Sequence, residues 1–330
     1  MGRANNKILF IVPQGSQPGA MQFVYRLVKS LRENGLEIEL LTVRTSFLPH
    51  IFIKQAMRIR RETTSQKFEG VVAQYGTYTG LITTLFSRLP VIVTFRGSDL
   101  NYVPSENIFK WVIQNMASQI AAARSSGIVC VSRKLSKKLW LGKNRKLAII
   151  PSNIDLENFL PKRQDKCRKI LGWDPIEPVC IFFSGSNHRV KRLDLAREIE
   201  ARLQKNGSPV KFMIFDHINS DMLSIVMNAA DCMVFLSDHE GSPNIIKEAC
   251  ACNLPIISVD VGDVSDVLKD VDNCCIVPRD ISIISECVER LSSLKTRTNG
   301  INQSELYSAT RIAKLTIDFY VDIFKIKTFI

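Results

Sequence analysis

Residues 236–264 read LSDHEGSPNIIKEACACNLPIISVDVGDV. They predict an alternation of strands and a helix, on which the interpretation of the whole chain depends. The apolar run Cys232–Leu236 indicates a short buried strand. The pair Ser242-Pro243 predicts a helix start, because serine caps helices and proline fits the first helical position. The helix is predicted over Asn244–Cys252, and a second strand over Ile256–Val259. The segment is therefore a strand, a helix and a strand.

Two carboxylates, Glu240 and Glu248, frame the predicted N-terminus of this helix. The N–H groups of Asn244 and Ile245 would point out of that terminus, which favours an anion such as a phosphate. Glu248 stands among apolar residues, where a carboxylate is costly to bury unless it accepts hydrogen bonds. The hydroxyl groups of a sugar or ribose are suitable donors. The alternative is that Glu240 is a solvated loop residue and Glu248 a surface residue, as most charged side chains are.

Seven residues separate these two glutamates, within E-G-S-P-N-x-x-x-E-A-x-A-C-x-L-P. This segment resembles the Glu-x7-Glu signature of the retaining glycosyltransferases of family 4, which have the GT-B fold and include the bacterial polysaccharide and glycolipid type. The resemblance implies that Glu240 contacts the sugar hydroxyls of a nucleotide-sugar donor and Glu248 its ribose. Ser242 and the amides of Asn244 and Ile245 would belong to the same donor site.

The composition is that of a soluble globular protein, with 330 residues, 45% hydrophobic and 23% charged, which is enough for two domains. No apolar run reaches the roughly 18 to 20 residues of a membrane span. The opening MGRANNKILFIVPQG predicts a strand instead of a signal peptide. The nine cysteines lie between Cys130 and Cys287 without a C-x-x-C pair, which predicts small core residues in a reducing compartment.

Positive charge is concentrated in the first half of the chain. Residues 1–150 contain 22 Lys/Arg and 7 Asp/Glu, whereas residues 151–330 contain 22 and 25. This asymmetry predicts that the first half faces an anionic partner, which is a membrane surface, a nucleic acid or an acidic acceptor. No nucleic-acid recognition motif or interleaving of aromatic and basic residues is present, so nucleic acid is not an expected partner.

The segment His50–Arg61 predicts a basic amphipathic helix. One stripe holds Phe52, Ile53, Ala56 and Met57, and the other side holds Lys54, Arg58 and Arg61. Such a helix either lies on an anionic membrane surface or packs on the first sheet with a solvated basic face. Both interpretations stay open at the level of sequence.

The first strand is predicted over Lys7–Val12, and the helix that follows over Ala20–Asn34. The loop between them contains Gly15 and Gly19, and a loop in that position lets the backbone approach a phosphate. The family places a glycine-rich loop here against the donor diphosphate. The resemblance therefore makes Gly15 and Gly19 donor-binding candidates.

The predicted strand Pro90–Phe95 ends in TFRGSD, residues 94–99. This ending resembles the family's loop that closes in H-G-S-D or R-G-S-D. Arg96 stands where many members have a histidine near the transferred sugar, so the resemblance makes it a catalytic candidate. Its guanidinium can bind a phosphate or an acidic acceptor through its fork of donors.

The segment PSNID, residues 151–155, resembles the family's entry into the second domain. The loop SGSNHRVKR, residues 184–192, matches the loop in which the family keeps an arginine and a lysine for the diphosphate. Lys191 matches the lysine. Ser186 stands near the usual arginine, so Arg189 is the candidate replacement. A cation here would neutralise charge on the leaving diphosphate, and no metal is then expected.

Strands and helices alternate along the chain, which predicts parallel sheets with crossover helices. With the resemblance, the expected architecture is an α/β protein of GT-B fold, with two facing Rossmann-like domains. Residues 1–150 form the acceptor-side domain and 151–304 the nucleotide-sugar domain. Residues 305–330 form a terminal helix that packs back on the N-terminal domain.

The resemblance implies a hexosyltransferase-type glycosyltransferase that moves a sugar from a nucleoside-diphosphate-sugar to a glycan or lipid-linked acceptor in cell-surface polysaccharide synthesis. Glu240, Lys191 and Arg96 are its predicted catalytic residues. The protein is expected in the cytoplasm or peripherally on the inner face of the cell membrane, without cofactor or metal. The alternatives are a sugar-nucleotide epimerase or hydrolase of GT-B fold and a non-enzymatic binding subunit. The basic first half argues against the former, and Ser186 and Arg96 depart from the family pattern in favour of the latter.

Overall fold

The computed structural model describes residues 7–15, 21–65, 67–102, 107–185 and 187–326. The chain separates into two compact units. The first contains the residues up to Asn153 together with those from Ala309 onward, and the second is Ile154–Ser308. The boundaries predicted after residues 150 and 304 lie three and four residues earlier than those of the two units.

The first unit alternates strands with helices from its N-terminal side. Its elements are β1 Lys7–Pro13, α1 Gln22–Glu33, β2 Glu37–Val43, α2 Pro49–Thr64, β3 Gly70–Gln74, α3 Leu81–Phe86, β4 Val91–Phe95, α4 Ile108–Arg124, β5 Gly127–Cys130, α5 Arg133–Ser136 and β6 Lys146–Ile149. A single π-helical turn, Gly76–Gly80, leads into α3.

The second unit repeats this alternation. Its elements are α6 Gln164–Leu171, β7 Val179–Phe183, α7 His188–Lys191, α8 Leu193–Lys205, β8 Lys211–Phe215, α9 Ser220–Ala229, β9 Cys232–Phe235, α10 Asn244–Ala251, β10 Ile256–Ser258, α11 Val264–Val267, β11 Cys275–Ile276, α12 Ile281–Leu294 and α13 Ile301–Ser304. A 3-10 turn, Glu305–Tyr307, follows, and α14 Ala309–Phe324 then belongs to the first unit.

The first sheet has six parallel strands in the order β2-β1-β3-β4-β5-β6. Its central strands are buried apolar runs, as expected for a parallel sheet covered on both faces. Helices α2, α3 and α4 pack on one face, around Ile59 and Ile82. Helices α1 and α14 pack on the other, where Tyr320 of α14 lies edge-on to Phe10 of β1.

The second sheet has five parallel strands in the order β11-β10-β9-β7-β8. Numbered from its own first strand, it has the order 2-1-3-4-5, which the first five strands of the other sheet share. Both are doubly wound sheets of the type predicted. The GT-B-type α/β architecture and the return of the C-terminal helix to the first unit are confirmed.

Two details of the predicted helices are wrong. The terminal helix begins at Ala309 and not at Glu305, because Ser308 takes an extended conformation with ψ 150° after the 3-10 turn. The predicted apolar stripe of α2 is also only partly its buried face, because Phe52 and Ala56 alone of its four residues pack on the core. Ala56, Ile59 and Thr63 are buried, whereas Ile53 and Met57 are exposed beside the basic residues.

The nine cysteines are free thiols, and six of them are buried in or beside the cores. Burial raises the pKa of the Cys252 thiol to about 12. These residues therefore act as small apolar side chains at neutral pH.

Candidate functional site

Polar loops gather at the carboxyl ends of the strands in the second sheet. The strand order reverses between β7 and β9, so their following loops, 184–191 and 236–243, diverge from the same point. Ser184 after β7 donates a hydrogen bond to Asp216 after β8, which joins a third loop to them. Ligands of open parallel sheets bind at such a reversal point. This edge is therefore the candidate site of the second unit.

Lys191 and Glu240, both predicted as catalytic, are in contact at this edge. Lys191 Nζ donates to Glu240 Oε1 over 2.5 Å. The same amine lies 5.2 Å from the centre of the Phe235 ring. The N–H of Asp238 donates to the carbonyl of Val190 over 2.9 Å, which holds the two loops together. Both charged side chains are partly exposed, so their charges are accessible to a ligand.

The basic residues beside Lys191 differ in their surroundings. Arg189 is exposed on the short helix α7 and remains a donor-binding candidate. Arg192 follows that helix in a left-handed conformation, φ 62°, and pairs with Asp194 over 2.7 Å and Asp238 over 3.3 Å. Hydrogen bonding to Asp194 raises the pKa of Arg192. Sequence reasoning missed Arg192, although a second basic residue directly after Lys191 was a visible signal.

The N-terminus of α10 is formed differently from the prediction. Pro243 and not Ser242 occupies the N-cap position, and no side chain caps the helix. The Ser242 hydroxyl instead donates to Asp263 Oδ2 over 2.6 Å. Asn244 and Ile245 open the helix and are partly exposed, so the N–H groups of its first turn have no intrahelical acceptor. The anion site predicted from the sequence is thus compatible with the backbone.

Glu248 is buried within α10, with 7% of the residue exposed. The alternative that Glu248 is a surface residue is therefore wrong. Glu240 lies one loop before it and is held by Lys191, so it is not a freely solvated residue either. Glu240 thus lies in the loop before α10 and Glu248 within that helix, and their contacts with a donor stay a prediction.

Lys247 forms a buried polar network that sequence reasoning missed. Its side chain is fully buried, its amine donates to Ser242 Oγ over 2.6 Å, and it lies 4.7 Å from the centre of the Tyr307 ring. Burial raises the pKa of Asp263, while the Lys247 charge and the Ser242 hydroxyl oppose that rise. The network fixes Ser242 directly before α10. A lysine next to Glu248 in an apolar helix was the signal.

Several polar atoms near α10 are buried without a hydrogen-bond partner in the described part of the chain. They are Asn244 Oδ1, Ser237 Oγ and Asp263 Oδ1. Buried polar groups are normally satisfied, so these atoms indicate a place for solvent or ligand. Gly262 packs closely here with φ 59°, and a Cβ atom on it would lie 3.2 Å from the Gly241 carbonyl oxygen. The loop around Glu240 is therefore closely packed.

The first unit contains the remaining predicted residues. Gly15 is exposed directly after β1, and Gly19 lies outside the described residues, as does Ser186 in the second unit. Gly15 stays a donor-binding candidate because β1 neighbours β3 at the reversal point of its own sheet.

Arg96 is packed inside the first unit. Its guanidinium donates to Gln74 Oε1 over 2.9 Å and 3.0 Å and to Ser152 Oγ over 2.8 Å. It lies 4.3 Å from the centre of the Phe23 ring. Desolvation by burial lowers the pKa of Arg96, whereas electrostatic interaction with Tyr75, Tyr320 and Asp99 acts to raise it. A cavity of about 20 Å³ adjoins the guanidinium.

The buried carboxylate of Asp99 shapes the Arg96 turn. It accepts hydrogen bonds from the backbone N–H groups of Gly76, Arg96 and Gly97 over 2.8–3.2 Å. These bonds hold the turn after β4 in place without a ligand, because the aspartate satisfies backbone N–H groups that follow β3 and β4. The Arg-Gly-Ser-Asp pattern is therefore partly structural.

The described residues contain no group of three or more His, Cys, Asp or Glu side chains that could hold a metal ion. None of the helices they form combines the length and apolar character needed to cross a membrane.

The fold and the site define a two-unit α/β protein of the GT-B class. Over 97% of this chain and 99% of the other, the structure superposes on sucrose-phosphate synthase from Thermosynechococcus elongatus with a TM-score of 0.80 and 17% identity. HepE of Anabaena, solved with UDP and glucose, gives a TM-score of 0.69 at 16% identity over 96% and 99% of the two chains. At such identities these likenesses show the fold alone.

Residues 177–293 match the family model described as Glycosyl transferases group 1. A Bacillus subtilis protein named for teichuronic acid biosynthesis, the glycosyltransferase TuaC, is 27% identical over 226 residues, which are 62% of this chain. N-acetyl-alpha-D-glucosaminyl L-malate synthase of Bacillus anthracis is 21% identical over 240 residues, 64% of this chain. The matched regions span 55% and 61% of the length of these two relatives.

Proposed function

We propose that the protein is a retaining glycosyltransferase of the hexosyltransferase type, which transfers a sugar from a nucleoside-diphosphate-sugar to a glycan or lipid-linked acceptor in cell-surface polysaccharide synthesis. One observation carries the proposal. Lys191 of α7 and Glu240 meet over 2.5 Å at the reversal point of the second sheet, and the loop of Glu240 leads to the N-terminus of α10. A cation, a carboxylate and open backbone N–H groups are the groups that a sugar diphosphate needs.

The roles follow from the charge that moves during transfer. The bond between the anomeric carbon and the diphosphate oxygen breaks, and its electrons leave with the diphosphate. Lys191 and the first-turn amides of α10, at Asn244 and Ile245, stabilise that negative charge without a metal. A new bond forms to the acceptor oxygen, which loses its proton. Arg189, exposed on the same short helix as Lys191, adds a second cation for the phosphates.

The two glutamates orient the donor. Glu240, which the structure holds through Lys191, accepts hydrogen bonds from hydroxyls of the transferred sugar. Glu248 is buried in α10 and accepts from the ribose hydroxyls. Ser242 keeps the preceding loop in place through Asp263. In the first unit, Gly15 and Gly19 remain donor-binding candidates and Arg96 a catalytic candidate, because their segments resemble those of the family.

The relatives support the same class of reaction. TuaC is named as a glycosyltransferase of teichuronic acid biosynthesis, and the Bacillus anthracis relative as a synthase that joins a glucosaminyl group to malate. We place the protein in the cytoplasm, with access to the inner face of the cell membrane. Helix α2 supports that placement, because Ile53 and Met57 are exposed beside Lys54 and Arg58.

The test is calorimetric titration with UDP, GDP, ADP and CDP in the presence of EDTA. We expect one nucleotide to bind with micromolar affinity, and Glu248→Ala to weaken it at least tenfold, because a charged hydrogen bond contributes about 1.5–3 kcal/mol. Glu286→Ala, on an exposed glutamate of α12, is the matched control and should bind as wild type does. Circular dichroism verifies that each variant is folded.

The outcomes separate the candidate functions. Release of nucleoside diphosphate from the sugar nucleotide, dependent on an added acceptor and lost in Glu248→Ala, supports transfer. Release of nucleoside diphosphate without an acceptor would favour a hydrolase. Inversion of a carbon centre in the sugar of the sugar nucleotide would favour an epimerase. Absence of binding to all four nucleotides would favour a non-enzymatic subunit. Wild-type turnover in folded Glu248→Ala would contradict the assigned site.

A further inference from the structure

Helix α4 exposes a continuous apolar face. Six of its large apolar side chains are exposed: Ile108, Phe109, Val112, Ile113, Met116 and Ile120. Phe109 and Ile113 are 76% and 63% exposed. At 3.6 residues per turn these positions share one side of the helix. Single exposed apolar residues are ordinary, but a continuous stripe marks an interaction surface.

The opposite side of α4 holds the helix firmly to the first sheet. Ala121 and Ala122 are buried in the core, and the Ser118 hydroxyl donates to the Asp99 carbonyl over 2.8 Å. Gln119 donates to the Lys138 carbonyl over 3.0 Å and accepts from the Trp140 N–H over 3.0 Å. The helix therefore cannot rotate its apolar stripe inward without breaking these bonds.

The segment that contains α2, α3 and α4 is strongly basic. Residues 44–145 contain sixteen Lys/Arg and four Asp/Glu, a net charge of +12. Of those four acids, Glu62 pairs with Arg61 and Asp99 is buried. Helix α3 contacts both α2 and α4 on the same face of the sheet, so their outer sides belong to one layer. That layer adds exposed apolar residues of α2 and α3, namely Ile53, Met57 and Leu85.

The other face of the same sheet has no comparable surface. Among the described residues of α1 and α14, Tyr25 and Leu315 are the exposed large apolar side chains, one on each helix. The apolar and basic features therefore coincide on the α2–α3–α4 layer. A second copy of this chain would bring like charges together, which opposes association. An anionic bilayer satisfies both features, because its headgroups attract the cations and its acyl boundary accepts the apolar stripe.

We propose that α4 is the apolar anchor of a peripheral membrane-docking surface. Phe109 and Ile113 enter the boundary between headgroups and acyl chains, and the cations of α2 bind the anionic headgroups. The inference goes beyond donor chemistry and does not depend on the nucleotide site. The two helices have different roles in this surface: α2 supplies mainly charge, and α4 supplies mainly apolar area.

The experiment is co-sedimentation of the full chain with vesicles of phosphatidylglycerol and phosphatidylcholine, and with vesicles of phosphatidylcholine alone. We expect binding to the anionic vesicles that weakens as salt is raised. The double variant Phe109→Ser with Ile113→Ser should bind at least about tenfold more weakly, because two large side chains no longer leave water. Replacing Lys54, Arg58 and Arg61 by glutamine should reduce the preference for anionic vesicles and the salt dependence.

The matched control replaces exposed apolar residues of the second unit. Ile170 and Ile176 are 64% and 74% exposed, so Ile170→Ser with Ile176→Ser removes a similar apolar area elsewhere. This control should bind vesicles as wild type does. Nucleotide binding by calorimetry should be unchanged in every variant, which separates failure of the membrane surface from failure of the donor site.

Equal vesicle binding by wild type and the α4 double variant would overturn the proposal. So would a wild-type dimer in light scattering that the α4 variant converts to a monomer without a change in vesicle binding, because α4 would then be a self-association face. Loss of binding in the Ile170 and Ile176 control would likewise overturn it, since apolar exposure in general would be responsible.

Discussion

The two edges of the second sheet differ in how completely their polar groups are paired. At the amino ends of the strands, Asp231 lies directly before β9. Its Oδ2 accepts from Arg168 Nη2 over 2.7 Å and from the Val179 N–H over 2.6 Å, and its Oδ1 accepts from Gln164 over 3.0 Å. At the carboxyl ends, Ser237 and Asn244 keep buried oxygens for which the described residues provide no partner.

Arginines pair most of the buried carbonyl groups of the amino-end edge, where the Ser208 hydroxyl, in the loop before β8, is a buried oxygen without a partner among the described residues. Arg168 donates to the carbonyls of Ala229, Asp174, Pro175 and Glu177 over 2.9–3.1 Å. Arg297 donates to the carbonyls of Ala230, Met227 and Cys252 over 2.6–3.1 Å. Two arginines thus satisfy seven carbonyl groups of loops and helix ends, which would otherwise be buried without a donor.

The difference supports the proposed donor site, because the amino-end edge mainly stabilises the unit and the carboxyl-end edge keeps polar atoms that a ligand can pair. A satisfied buried network gains from low dielectric, whereas unpaired polar atoms cost stability until a ligand or water pairs them. The segment Asn228–Asp231 therefore has a structural role. It lies at the amino-end edge and holds the sheet that carries Lys191 and Glu240.

The largest effect is expected from Asp231→Ala. Removal of this carboxylate leaves Arg168 buried and without its ion-pair partner, so the free energy of unfolding should fall by about 3–5 kcal/mol. Urea unfolding monitored by circular dichroism measures the change. The control is Asp165→Ala. The Arg163–Asp165 pair has the same 2.7 Å separation, but its side chains are 70% and 61% exposed, against 5% and 8% for Arg168–Asp231.

The exposed control pair should contribute far less to stability, because solvent screens its charges. Equal losses of stability in the two variants would show that the buried Arg168–Asp231 pair contributes no more than the exposed pair. The amino-end network would then have no special role in stability. Nucleotide affinity of the folded Asp231→Ala protein should match that of wild type, because the two edges lie at opposite ends of the strands.

An intermediate effect is expected from Lys247→Met, which cuts the satisfied network at the binding edge. The substitution keeps the volume of the buried side chain but leaves Asp263 without the Lys247 charge, so the free energy of unfolding should fall by about 2 kcal/mol. Ser242 also loses the Lys247 amine, and nucleotide affinity should fall about tenfold as the loop before α10 loosens.

Adding Asp263→Asn to Lys247→Met should restore part of the stability, because the second change removes the uncompensated carboxylate. Calorimetry and urea unfolding of the two single variants and the double variant form a double-mutant cycle. Additive losses would show that Lys247 and Asp263 do not act together. An unchanged nucleotide affinity in Lys247→Met would show that the network does not position the loop.

The bounds of helices and strands could be predicted from the sequence better than the side-chain contacts between them. Strand β4 was predicted over Pro90–Phe95 and is observed over Val91–Phe95, and α10 ends one residue before its predicted end. Such segments are recognisable locally, because a parallel strand is a continuous apolar run and a helix has a 3.6-residue period. The Glu-x7-Glu segment also indicated that Glu248 is not an ordinary surface residue, and Glu248 is buried.

The errors concern contacts between residues distant in sequence. Ser242 was predicted to cap α10, but its hydroxyl bonds to Asp263, 21 residues later. The Arg168–Asp231 hydrogen bond joins residues that are 63 positions apart, and no local sequence pattern predicts it. On α2, the stripe with Ile53 and Met57 and the stripe with Ile59 fit a helix equally well, and only packing on the first sheet selects the latter.

The smallest effect is expected from Asp194→Asn, beside the binding edge. Arg192 and Asp194 are 2.7 Å apart, the same separation as in the buried Arg168–Asp231 pair, but the Asp194 side chain is more than half exposed. Solvent screens such a pair, and Arg192 keeps Asp238 as a second partner, so the loss should be about 0.5 kcal/mol at pH 7.

The pH dependence of this loss has a definite sign. Hydrogen bonding to Arg192 holds the pKa of Asp194 below its ordinary value. The pair therefore stabilises the fold fully above the ordinary aspartate pKa of about 3.9, and this contribution disappears as the pH falls through the lower pKa of the folded state. Urea unfolding of wild type and Asp194→Asn at neutral pH and near pH 2–3 measures the difference. The difference should shrink in acid and in high salt, whereas a loss above about 2 kcal/mol that persists in both would mean that exposure does not weaken ion pairs at this edge.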